Sequence, residues 1–307
     1  MTVELLIVGA GPAGVSAALW ARSRGLDPLV IEAAPRPGGQ LLSVYFHPRE
    51  LAGVRTGEGP VIAASYAEQL LEAGVQVRYE TSVRALEFPE RADARPEATL
   101  SDGTRLAADA LLVVTGVRRR PLEVPGEREL EGRGVSYSAT RDLERLRGKR
   151  VVVVGGGDAA YENSLILAAA QCDVLLAVRG APRARGEFRR RVVAEPRITL
   201  LERTRVTALL GDRRLETVRF EGPAGVFERA VDAVVVKVGV LPNTEWCREA
   251  LGHDAEGFLP VDGRQRSSRP RVWAAGDVTH PALACIAVAM GTAALAVADI
   301  ANSLRPD

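Results

Sequence analysis

Short apolar runs alternate along the chain with longer segments in which apolar and polar residues mix. Runs of apolar β-forming residues predict strands, and the alanine-rich segments between them predict helices. The clearest runs are residues 5–8, 28–31, 151–154, 174–178 and 234–236. The alternation predicts an α/β fold with a mostly parallel sheet in each of two domains. A small antiparallel sheet is expected around residues 75–114, and the polar run 90–97 is expected to be a loop between strands.

Two of the apolar runs lead directly into glycine-rich turns. The first turn is Gly9-Ala10-Gly11-Pro12-Ala13-Gly14, and the second is Gly155-Gly156-Gly157-Asp158-Ala159-Ala160. A pyrophosphate needs backbone N–H groups aimed at it and no Cβ in the way, which favours glycine at the points of close approach. One such turn is weak evidence, but two in a strand–turn–helix context predict that the chain binds two dinucleotides.

An acidic residue follows the strand that comes after the first turn. The segment 28–31 ends in Glu32, at the distance where a carboxylate accepts hydrogen bonds from the ribose hydroxyls of an adenosine. The alternative interpretation of Glu32 is an ordinary glutamate on a solvated strand end.

The second turn is followed by a basic residue instead. The strand 174–178 ends in Arg179, and Arg183 follows in the next loop. A guanidinium at this place can pair with the 2′-phosphate of NADP, so NADPH is favoured over NADH. An arginine cluster can equally be a solvated surface. A different nucleotide, such as a second FAD, or no ligand at all, therefore remains an alternative at the second turn.

Three further segments give the chain a family resemblance. They are Gly38-Gly39-Gln40-Leu41, Val113-Val114-Thr115-Gly116 and Val272-Trp273-Ala274-Ala275-Gly276-Asp277. In their order and spacing the chain resembles the low-molecular-weight thioredoxin reductase family of FAD-dependent pyridine nucleotide oxidoreductases. The resemblance implies FAD at the first turn, with Asp277 on the flavin ribitol and the residues around Gln40 beside the flavin ring. It also implies a homodimer.

The same resemblance implies two Rossmann-like three-layer dinucleotide-binding domains, one inserted into the other. Residues 1–116 and 243–307 are expected to form the FAD domain, and residues 117–242 the NAD(P)H-type domain. The crossings are predicted as short hinges at residues 118–121 and 239–242. In the family such hinges allow a domain rotation.

The family's redox-active Cys-x-x-Cys pair is missing. The aligned stretch reads Val135-Ser136-Tyr137-Ser138-Ala139-Thr140-Arg141-Asp142, with Ser138 and Arg141 in place of the two cysteines. A hydroxyl and a guanidinium cannot cycle between dithiol and disulfide, so thiol–disulfide exchange at this position is excluded. The remaining Cys172, Cys247 and Cys285 are far apart in sequence and are interpreted as reduced thiols.

This departure favours the cysteine-free branch of the family, the ferredoxin/flavodoxin–NADP reductases of thioredoxin reductase type. Tyr45 matches the residue that stacks on the flavin in that branch, although an aromatic at a core or interface position is the alternative. The branch commonly carries a C-terminal extension over the other flavin face. The sequence ends without one, so a small acceptor or oxygen also remains open.

Several other residues are candidates for chemistry. Arg141 could stabilise a reduced anionic flavin, and Asp142 is expected at a helix N-terminus or in a salt bridge. Cys285 is interpreted as a small buried residue, with a functional thiol as the alternative. His47 and His280 are expected to be polar loop residues near the FAD. Lys237 either reaches a cleft between the domains or extends outward from the sheet. No cluster shows metal-ligand spacing.

Composition excludes some partners. The chain has 307 residues, 47% of them apolar, and a net charge of +1. Neither nucleic-acid nor membrane binding is indicated by this charge, and no signal peptide is recognised, so a cytoplasmic protein is expected. Taken together, we expect hydride to pass from NAD(P)H to FAD, and electrons to leave to a ferredoxin, a flavodoxin or a small acceptor. The alternatives are a flavoprotein that does not use pyridine nucleotides and a non-catalytic redox-sensing flavoprotein.

Overall fold

A computed structural model describes residues 2–48, 50–89 and 95–305. The strands are β1 (Thr2–Val8), β2 (Pro28–Ile31), β3 (Gln76–Arg78), β4 (Val83–Glu87), β5 (Glu97–Leu100), β6 (Arg105–Val113), β7 (Val117–Arg119), β8 (Val135–Ser136), β9 (Arg150–Val154), β10 (Asp173–Val178), β11 (Ile198–Glu202), β12 (Arg205–Leu210), β13 (Thr217–Gly222), β14 (Gly225–Ala230), β15 (Ala233–Val236), β16 (Val240–Pro242) and β17 (Val272–Ala274). Of the predicted loop 90–97, residues 90–94 lie outside the described residues.

The helices are α1 (Pro12–Ser23), α2 (Gly59–Glu72), α3 (Leu143–Leu146), α4 (Asp158–Ala169), α5 (Gly186–Ala194) and α6 (Ile286–Leu304), with short 3-10 helices at Gly39–Ser43, Glu245–Cys247 and Gly276–Thr279. Helices α1, α4 and α6 follow alanine-rich segments, whereas α3 and α5 do not. Helix α1 ends before Gly25, which has a φ of +73° in the left-handed region that glycine adopts without strain.

The chain divides into two units. Unit 1 comprises Met1–Arg118 and Leu241–Asp307, and unit 2 comprises Arg119–Val240. The two crossings lie in β7 and β16, which pair with each other as a two-stranded sheet. The predicted hinge segments therefore contain paired strands. Which unit holds which nucleotide stays a prediction.

Unit 1 is built on a seven-stranded sheet within the described residues, in the order β3-β2-β1-β6-β5-β4 with β17 also paired to β6. Strands β2, β1, β6 and β17 run parallel to one another. A small antiparallel sheet was expected around residues 75–114. Strand β3 is instead parallel to β2, at one edge of the main sheet. Strands β4 and β5 are indeed antiparallel, as are β5 and β6, but they continue the main sheet. The reason is the length of β6, whose first residues pair with β5 and whose last residues pair with β17.

Alternation along β1 explains the layers on either side of this sheet. Leu5 and Ile7 pack with buried residues of α1, α2 and α6, whereas Leu6 and Val8 pack into a second apolar cluster on the opposite face. Because successive side chains of a strand point to opposite faces, one fully apolar strand supplies both clusters.

Helix α6 has the length and apolar composition of a membrane-crossing segment. Its buried residues include Ala293, Ala296 and Ile300, and these belong to the apolar cluster of unit 1. The hydroxyl of Ser16 on α1 also donates to the carbonyl of Met290 on α6 at 3.0 Å. Packing against α1 thus accounts for the apolar character of this helix.

Unit 2 repeats the plan with a five-stranded parallel sheet, in the order β11-β10-β9-β15-β8 within the described residues. Val151 and Val153 of β9 pack in a cluster with α4, and Val152 and Val154 pack in a cluster with the antiparallel strands β12 and β13. The predicted α/β fold with two Rossmann-like units is confirmed.

Candidate functional sites

Four parallel strands of unit 1 end side by side, and a predicted FAD residue follows each end. Gly9 follows β1, Glu32 follows β2, Thr115 and Gly116 follow β6, and Gly276 and Asp277 follow β17. In open parallel sheets, ligands bind in the crevice outside these carboxyl ends. The four sequence segments predicted to bind FAD therefore lie together at the carboxyl edge of the unit 1 sheet.

The first glycine turn is closed so tightly that side chains are excluded. Gly9 has a φ of +111°, and a Cβ there would lie 2.6 Å from the carbonyl oxygen of Val114. A Cβ on Gly14 would lie 1.9 Å from the carbonyl oxygen of Gly9. Gly11 precedes α1, with Pro12 in the first turn and no side-chain cap. The first N–H groups of α1 are therefore available to an anion.

Glu32 holds the first turn in place. Its two carboxylate oxygens accept hydrogen bonds from the backbone N–H groups of Ala10, at 2.6 Å, and Ala34, at 2.8 Å. An ionised carboxylate has about four acceptor positions, so two of them remain for a ligand. Glu32 can hold the turn and bind ribose hydroxyls at the same time.

Gln40 and Asp277 come from distant parts of the sequence and are bonded to each other. Gln40 Nε2 donates to Asp277 Oδ2 at 3.0 Å. A Cβ on Gly39 would lie 3.1 Å from the Cα of Gly11, and a Cβ on Gly276 would lie 3.1 Å from the Cβ of Ala13. Leu41 is buried beneath the same segment. These close approaches place both segments against the N-terminus of α1.

Thr115 and Gly116 are fixed by Asn243, a residue that the sequence interpretation missed. Thr115 Oγ1 donates to the Asn243 carbonyl at 2.8 Å, and Asn243 Nδ2 donates to the Thr115 carbonyl at 2.9 Å. The Asn243 backbone N–H donates to the Gly116 carbonyl at 3.1 Å. The Pro-Asn pair after the second crossing was the available sequence signal, but its partner lies more than a hundred residues away.

The other unit 1 candidates are placed as follows. Tyr45 is half-buried shortly after the 3-10 helix Gly39–Ser43, and His47 Nδ1 lies 3.1 Å from the Gly57 carbonyl oxygen. Cys285 is half-buried just before α6, so its interpretation as a small buried residue is wrong. Leu283 and Ala284, just before it, are exposed, so this segment lies at the surface.

His280 takes part in a cluster that sequence spacing did not reveal. Ligand atoms of Asp254, Glu256 and His280 all lie within 4.8 Å of one another, and the His280 ring stacks on Phe258 at 4.2 Å between centroids. Two of the three are exposed, and exposed acidic groups commonly occur together without a metal. The cluster does not by itself define a metal site.

The first site fits FAD by its shape and donors. Gly9 and Gly14 let the turn and α1 pack closely against the neighbouring backbone, the N-terminus of α1 offers N–H groups, and Glu32 keeps acceptor positions. Each feature suits one part of a dinucleotide: close backbone approach and the helix end suit the pyrophosphate, and the carboxylate suits the ribose.

The second glycine turn, in unit 2, has the same construction. Gly155 has a φ of +146°, and a Cβ there would lie 2.2 Å from the carbonyl oxygen of Lys237. Gly157 precedes α4, and no atom lies within 4 Å of its Cβ position in the described structure. The start of α4 beside Gly157 and the exposed Ala159 is therefore open to a ligand.

Asp158, predicted to contact the nucleotide, is bonded to the following loop. The Arg185 backbone N–H donates to Asp158 Oδ1 at 2.7 Å, and Arg185 Nε donates to Asp158 Oδ2 at 2.6 Å. These bonds, led by the backbone one, outweigh slight burial and lower the pKa of Asp158. Its observed contacts anchor the arginine-rich loop to the start of α4.

Arg179 and Arg183 lie on that loop and are exposed. The Arg183 backbone N–H donates to the Gly156 carbonyl at 2.7 Å, which holds the loop against the glycine turn. Neither guanidinium forms an ion pair among residues 2–48, 50–89 and 95–305, whereas neighbouring Arg185 does. Both guanidinium groups can therefore accept an anion without breaking an internal bridge.

The stretch 135–142, where the cysteine pair was expected from the family resemblance, is a bonded polar turn. Ser136 Oγ donates to Asp142 Oδ2, and the Ser138 backbone N–H donates to Ser136 Oγ at 3.0 Å. Arg141 Nη2 donates to Asp142 Oδ2 at 2.9 Å, and Arg145 lies 3.3 Å from Asp142 Oδ1. Burial alone would raise the pKa of Asp142, but the bonds from Arg141 and Ser136 outweigh it and the pKa is lowered.

Comparison with known proteins agrees with this architecture. The model of the family described as pyridine nucleotide-disulphide oxidoreductase matches residues 3–293. The crystal structure of Lactococcus lactis thioredoxin reductase, in its FR conformation, superposes with a TM-score of 0.85 at 28% identity, covering 98% of this chain and 99% of that one. The fold and sites define a flavoprotein with two dinucleotide-binding domains. The chain belongs to the pyridine nucleotide-disulphide oxidoreductase family.

Two relatives show how the chain compares in length. NADH dehydrogenase of Bacillus subtilis is 31% identical over 299 residues, which are 95% of this chain but 57% of that protein. Thioredoxin reductase of Treponema pallidum is 33% identical over 298 residues, which are 95% of this chain and 94% of that protein. The chain thus spans little more than half the length of the first relative and nearly all of the second.

Proposed function

We propose that this chain is an FAD-dependent NAD(P)H oxidoreductase that passes electrons to a ferredoxin, a flavodoxin or a small acceptor and does not reduce thioredoxin. The observation that carries the proposal is the pair of glycine turns, each open at a helix N-terminus, in a chain whose second unit has a serine and an arginine where thiols would be needed. Two dinucleotide sites without a dithiol suit electron transfer from NAD(P)H through the flavin to the acceptor with no disulfide step.

The unit 1 site is assigned to FAD. Gly9, Gly11 and Gly14 allow the pyrophosphate to approach the start of α1, and Glu32 binds the ribose. Asp277, oriented by Gln40, binds the ribitol, and Tyr45 packs on the ring. When bound, FAD accepts the hydride and releases electrons, and the residues of this chain position and stabilise it.

The unit 2 site is assigned to NAD(P)H, with NADPH preferred. Gly155 and Gly157 leave the start of α4 open for the pyrophosphate. Arg179 and Arg183 meet the 2′-phosphate with charge-assisted hydrogen bonds. NADH lacks this phosphate and leaves both guanidinium groups to water, so it binds more weakly.

Two of the three remaining cysteines, Cys172 and Cys247, are unsuited to thiol chemistry. Cys172 is buried and its Sγ donates to the Leu146 carbonyl at 3.0 Å. Cys247 is buried too, and burial raises its thiol pKa to about 12. Thiolates are the reactive form, so neither residue is suited to exchange with a disulfide. We further propose a cytoplasmic homodimer, as is usual for the thioredoxin reductase-like relatives.

The test compares acceptors under otherwise identical conditions. Purified protein and NADPH are supplied with thioredoxin and a chromogenic disulfide, or with ferredoxin or flavodoxin and cytochrome c, or with ferricyanide alone. We expect turnover with ferricyanide and with at least one protein carrier, and background rates with thioredoxin. Thioredoxin-dependent turnover would refute the exclusion, and ferricyanide activity without carrier activity would restrict the acceptor to small molecules.

A further inference from the structure

Lys237 is a half-buried cation directly after the carboxyl end of an apolar strand of one alanine and three valines. It directly follows β15, and its Nζ donates to the Tyr137 carbonyl at 2.7 Å. No carboxylate of the described residues forms an ion pair with this ammonium. The other lysine of the chain, Lys149, is exposed and directly precedes β9, at the amino end of the sheet. The two lysines thus offer a matched comparison.

The charges around Lys237 are mainly of its own sign. Burial, together with the charges of Arg119 and Arg141, lowers the pKa of its ammonium to about 8, while Glu162 on α4 acts in the opposite direction. Arg119 ends β7, and Arg141 lies in the turn after β8. A half-buried ammonium beside two guanidinium groups is costly, and such an arrangement points to a function in ligand binding.

The backbone of Lys237 lies against the second glycine turn. Its N–H donates to the Val154 carbonyl at 2.8 Å, and its carbonyl oxygen occupies the space that a Cβ on Gly155 would need. In the sheet order, β10 lies on one side of β9 and β15 lies on the other. In such sheets a dinucleotide binds outside the carboxyl ends of the strands, at the point where the strand order reverses. Its adenosine then lies over β9 and β10. Its second nucleotide therefore lies over β15, where Lys237 is.

We propose that Lys237 makes unit 2 sensitive to the oxidation state of the nicotinamide, favouring the reduced nucleotide over the oxidised one. This inference rests on the proposed function, because it needs NAD(P)H at the second turn. The oxidised ring carries a positive charge and the reduced ring is neutral. A fixed cation nearby repels the first and leaves the second unaffected. After hydride transfer, the oxidised nucleotide is then the weaker ligand and leaves more readily.

The effect has a defined pH dependence. Well below pH 8 the ammonium is charged and the preference for the reduced nucleotide is at its full extent. As the pH rises through about 8 the ammonium loses its proton, so the preference declines; the other charged groups that act on it are Arg119, Arg141 and Glu162. The flanking guanidinium groups set a residual preference that does not change with pH.

The test measures binding by calorimetry to the holoprotein, with three ligands that do not reduce the flavin. These are NADP+, the neutral and redox-inactive 1,4,5,6-tetrahydro-NADPH, and 2′,5′-ADP, which lacks the nicotinamide. The variants are Lys237→Met, which removes the charge, Lys237→Arg, which keeps it, and Lys149→Met, which makes the same change at the exposed lysine. The Kd ratio of NADP+ to tetrahydro-NADPH is compared at pH 7 and at pH 9.5.

We expect Lys237→Met to lower this ratio about 10-fold at pH 7 and to abolish its pH dependence, as one charge removed at several ångströms predicts. Lys237→Arg and Lys149→Met should keep the wild-type ratio, and 2′,5′-ADP should bind every variant equally. An unchanged ratio in Lys237→Met would overturn the inference. So would a parallel loss of 2′,5′-ADP binding, since this would mean that Lys237 only supports the Tyr137 turn. If wild-type protein bound none of the three ligands, the proposed function itself would fail.

Discussion

At each glycine turn, one charged side chain lies beside the strand end, and in the proposed function it selects the nucleotide. Glu32 accepts two backbone N–H groups and keeps acceptor positions for ribose hydroxyls, whereas Arg179 is exposed with no internal carboxylate partner in the described part of the chain. A carboxylate repels a 2′-phosphate and a guanidinium attracts it. The two sites therefore differ in charge where their backbones are alike.

Glu32→Gln is expected to weaken FAD binding about 10- to 100-fold. The amide retains one oxygen acceptor but presents an NH2 group to a backbone N–H, and hydrogen bonds to a charged group are worth about 1.5–3 kcal/mol. The measurement is the Kd of FAD from fluorescence quenching during reconstitution of the flavin-free protein. Glu72→Gln, at an exposed position of α2, is the control and should match wild type. Equal FAD affinity in both variants would contradict the prediction that Glu32 binds FAD.

Arg179→Ala is expected to raise the KM for NADPH about 10- to 150-fold and to leave the KM for NADH unchanged. The lost interaction is a charge-assisted bond to the 2′-phosphate, worth about 1.5–3 kcal/mol. Steady-state ferricyanide reduction measures both constants. Arg213→Ala, at an exposed position elsewhere in unit 2, serves as the control. If the KM values for NADPH and NADH rose by the same factor, the predicted contact between Arg179 and the 2′-phosphate would be contradicted.

Among the elements, the helices that follow the glycine turns are the proposed phosphate-binding elements, and close packing at glycine fixes the position of α1. Gly14 lies within α1 where a Cβ would meet the Gly9 carbonyl oxygen at 1.9 Å. Gly291 lies within α6, and its Cβ position has no atom within 4 Å in the described structure. The same substitution therefore has opposite effects in the two helices.

Gly14→Ala is expected to lower the melting temperature of the holoprotein and to release FAD, because α1 must move away from β1 to relieve the clash. Gly291→Ala is expected to stabilise the protein by about 0.5–1 kcal/mol, since alanine is the better helix former. Thermal unfolding followed by circular dichroism and by flavin fluorescence measures both effects. A Gly14→Ala protein with unchanged melting and flavin content would contradict the close packing of the first turn.

Helix α6 is also attached to β17 through a nearly buried carboxylate. Asp299 accepts bonds from Arg266 Nη2 at 2.9 Å and from Trp273 Nε1 at 2.9 Å, and its side chain is 9% exposed. Burial raises the pKa of Asp299, but the bonds from Arg266 and Trp273 outweigh this and lower it. The stabilisation is therefore complete above the ordinary aspartate pKa and is lost as the pH falls through the lowered value.

Asp299→Asn is expected to destabilise unit 1 by about 1.5–3 kcal/mol at pH 7, because it removes the charged acceptor of the bonds from Arg266 and Trp273. Urea unfolding monitored by tryptophan fluorescence at pH 7 and pH 3 measures the loss, which should shrink at the lower pH. Asp173→Asn breaks the exposed pair with Arg197 and should cost less than about 1 kcal/mol. Similar losses in both variants would contradict the role given to Asp299.

How much the sequence predicted depended on how local each feature is. The glycine turns, Glu32 and Arg179 were found because their signals lie within a strand, a turn and a helix. Asn243 was missed because its partner Thr115 is distant in sequence, and so was the proximity of Asp254 to His280. The continuation of the sheet through β5 and β4 was also missed. It depends on the pairing of the first residues of β6 with β5, which composition does not encode.

On the scale of the whole molecule, two similar units lie in one chain whose termini both belong to unit 1. If each unit binds its own nucleotide, ligands should stabilise them separately, because a ligand at 100 times its Kd adds about 2.7 kcal/mol to the state that binds it. Hydrogen exchange measured by mass spectrometry distinguishes the units. FAD should slow exchange in residues 9–15 and 2′,5′-ADP in residues 155–162. Protection of the first segment by 2′,5′-ADP would contradict the assignment of units.

The most direct test of the central claim is an anaerobic titration of the purified yellow protein with NADPH and, separately, with NADH, followed by loss of the oxidised flavin absorbance. We predict that NADPH bleaches the flavin rapidly and at lower concentration than NADH does. If neither nucleotide bleaches a flavin that dithionite readily reduces, the second glycine turn is not a working NAD(P)H site. The protein would then be a flavoprotein that does not use pyridine nucleotides.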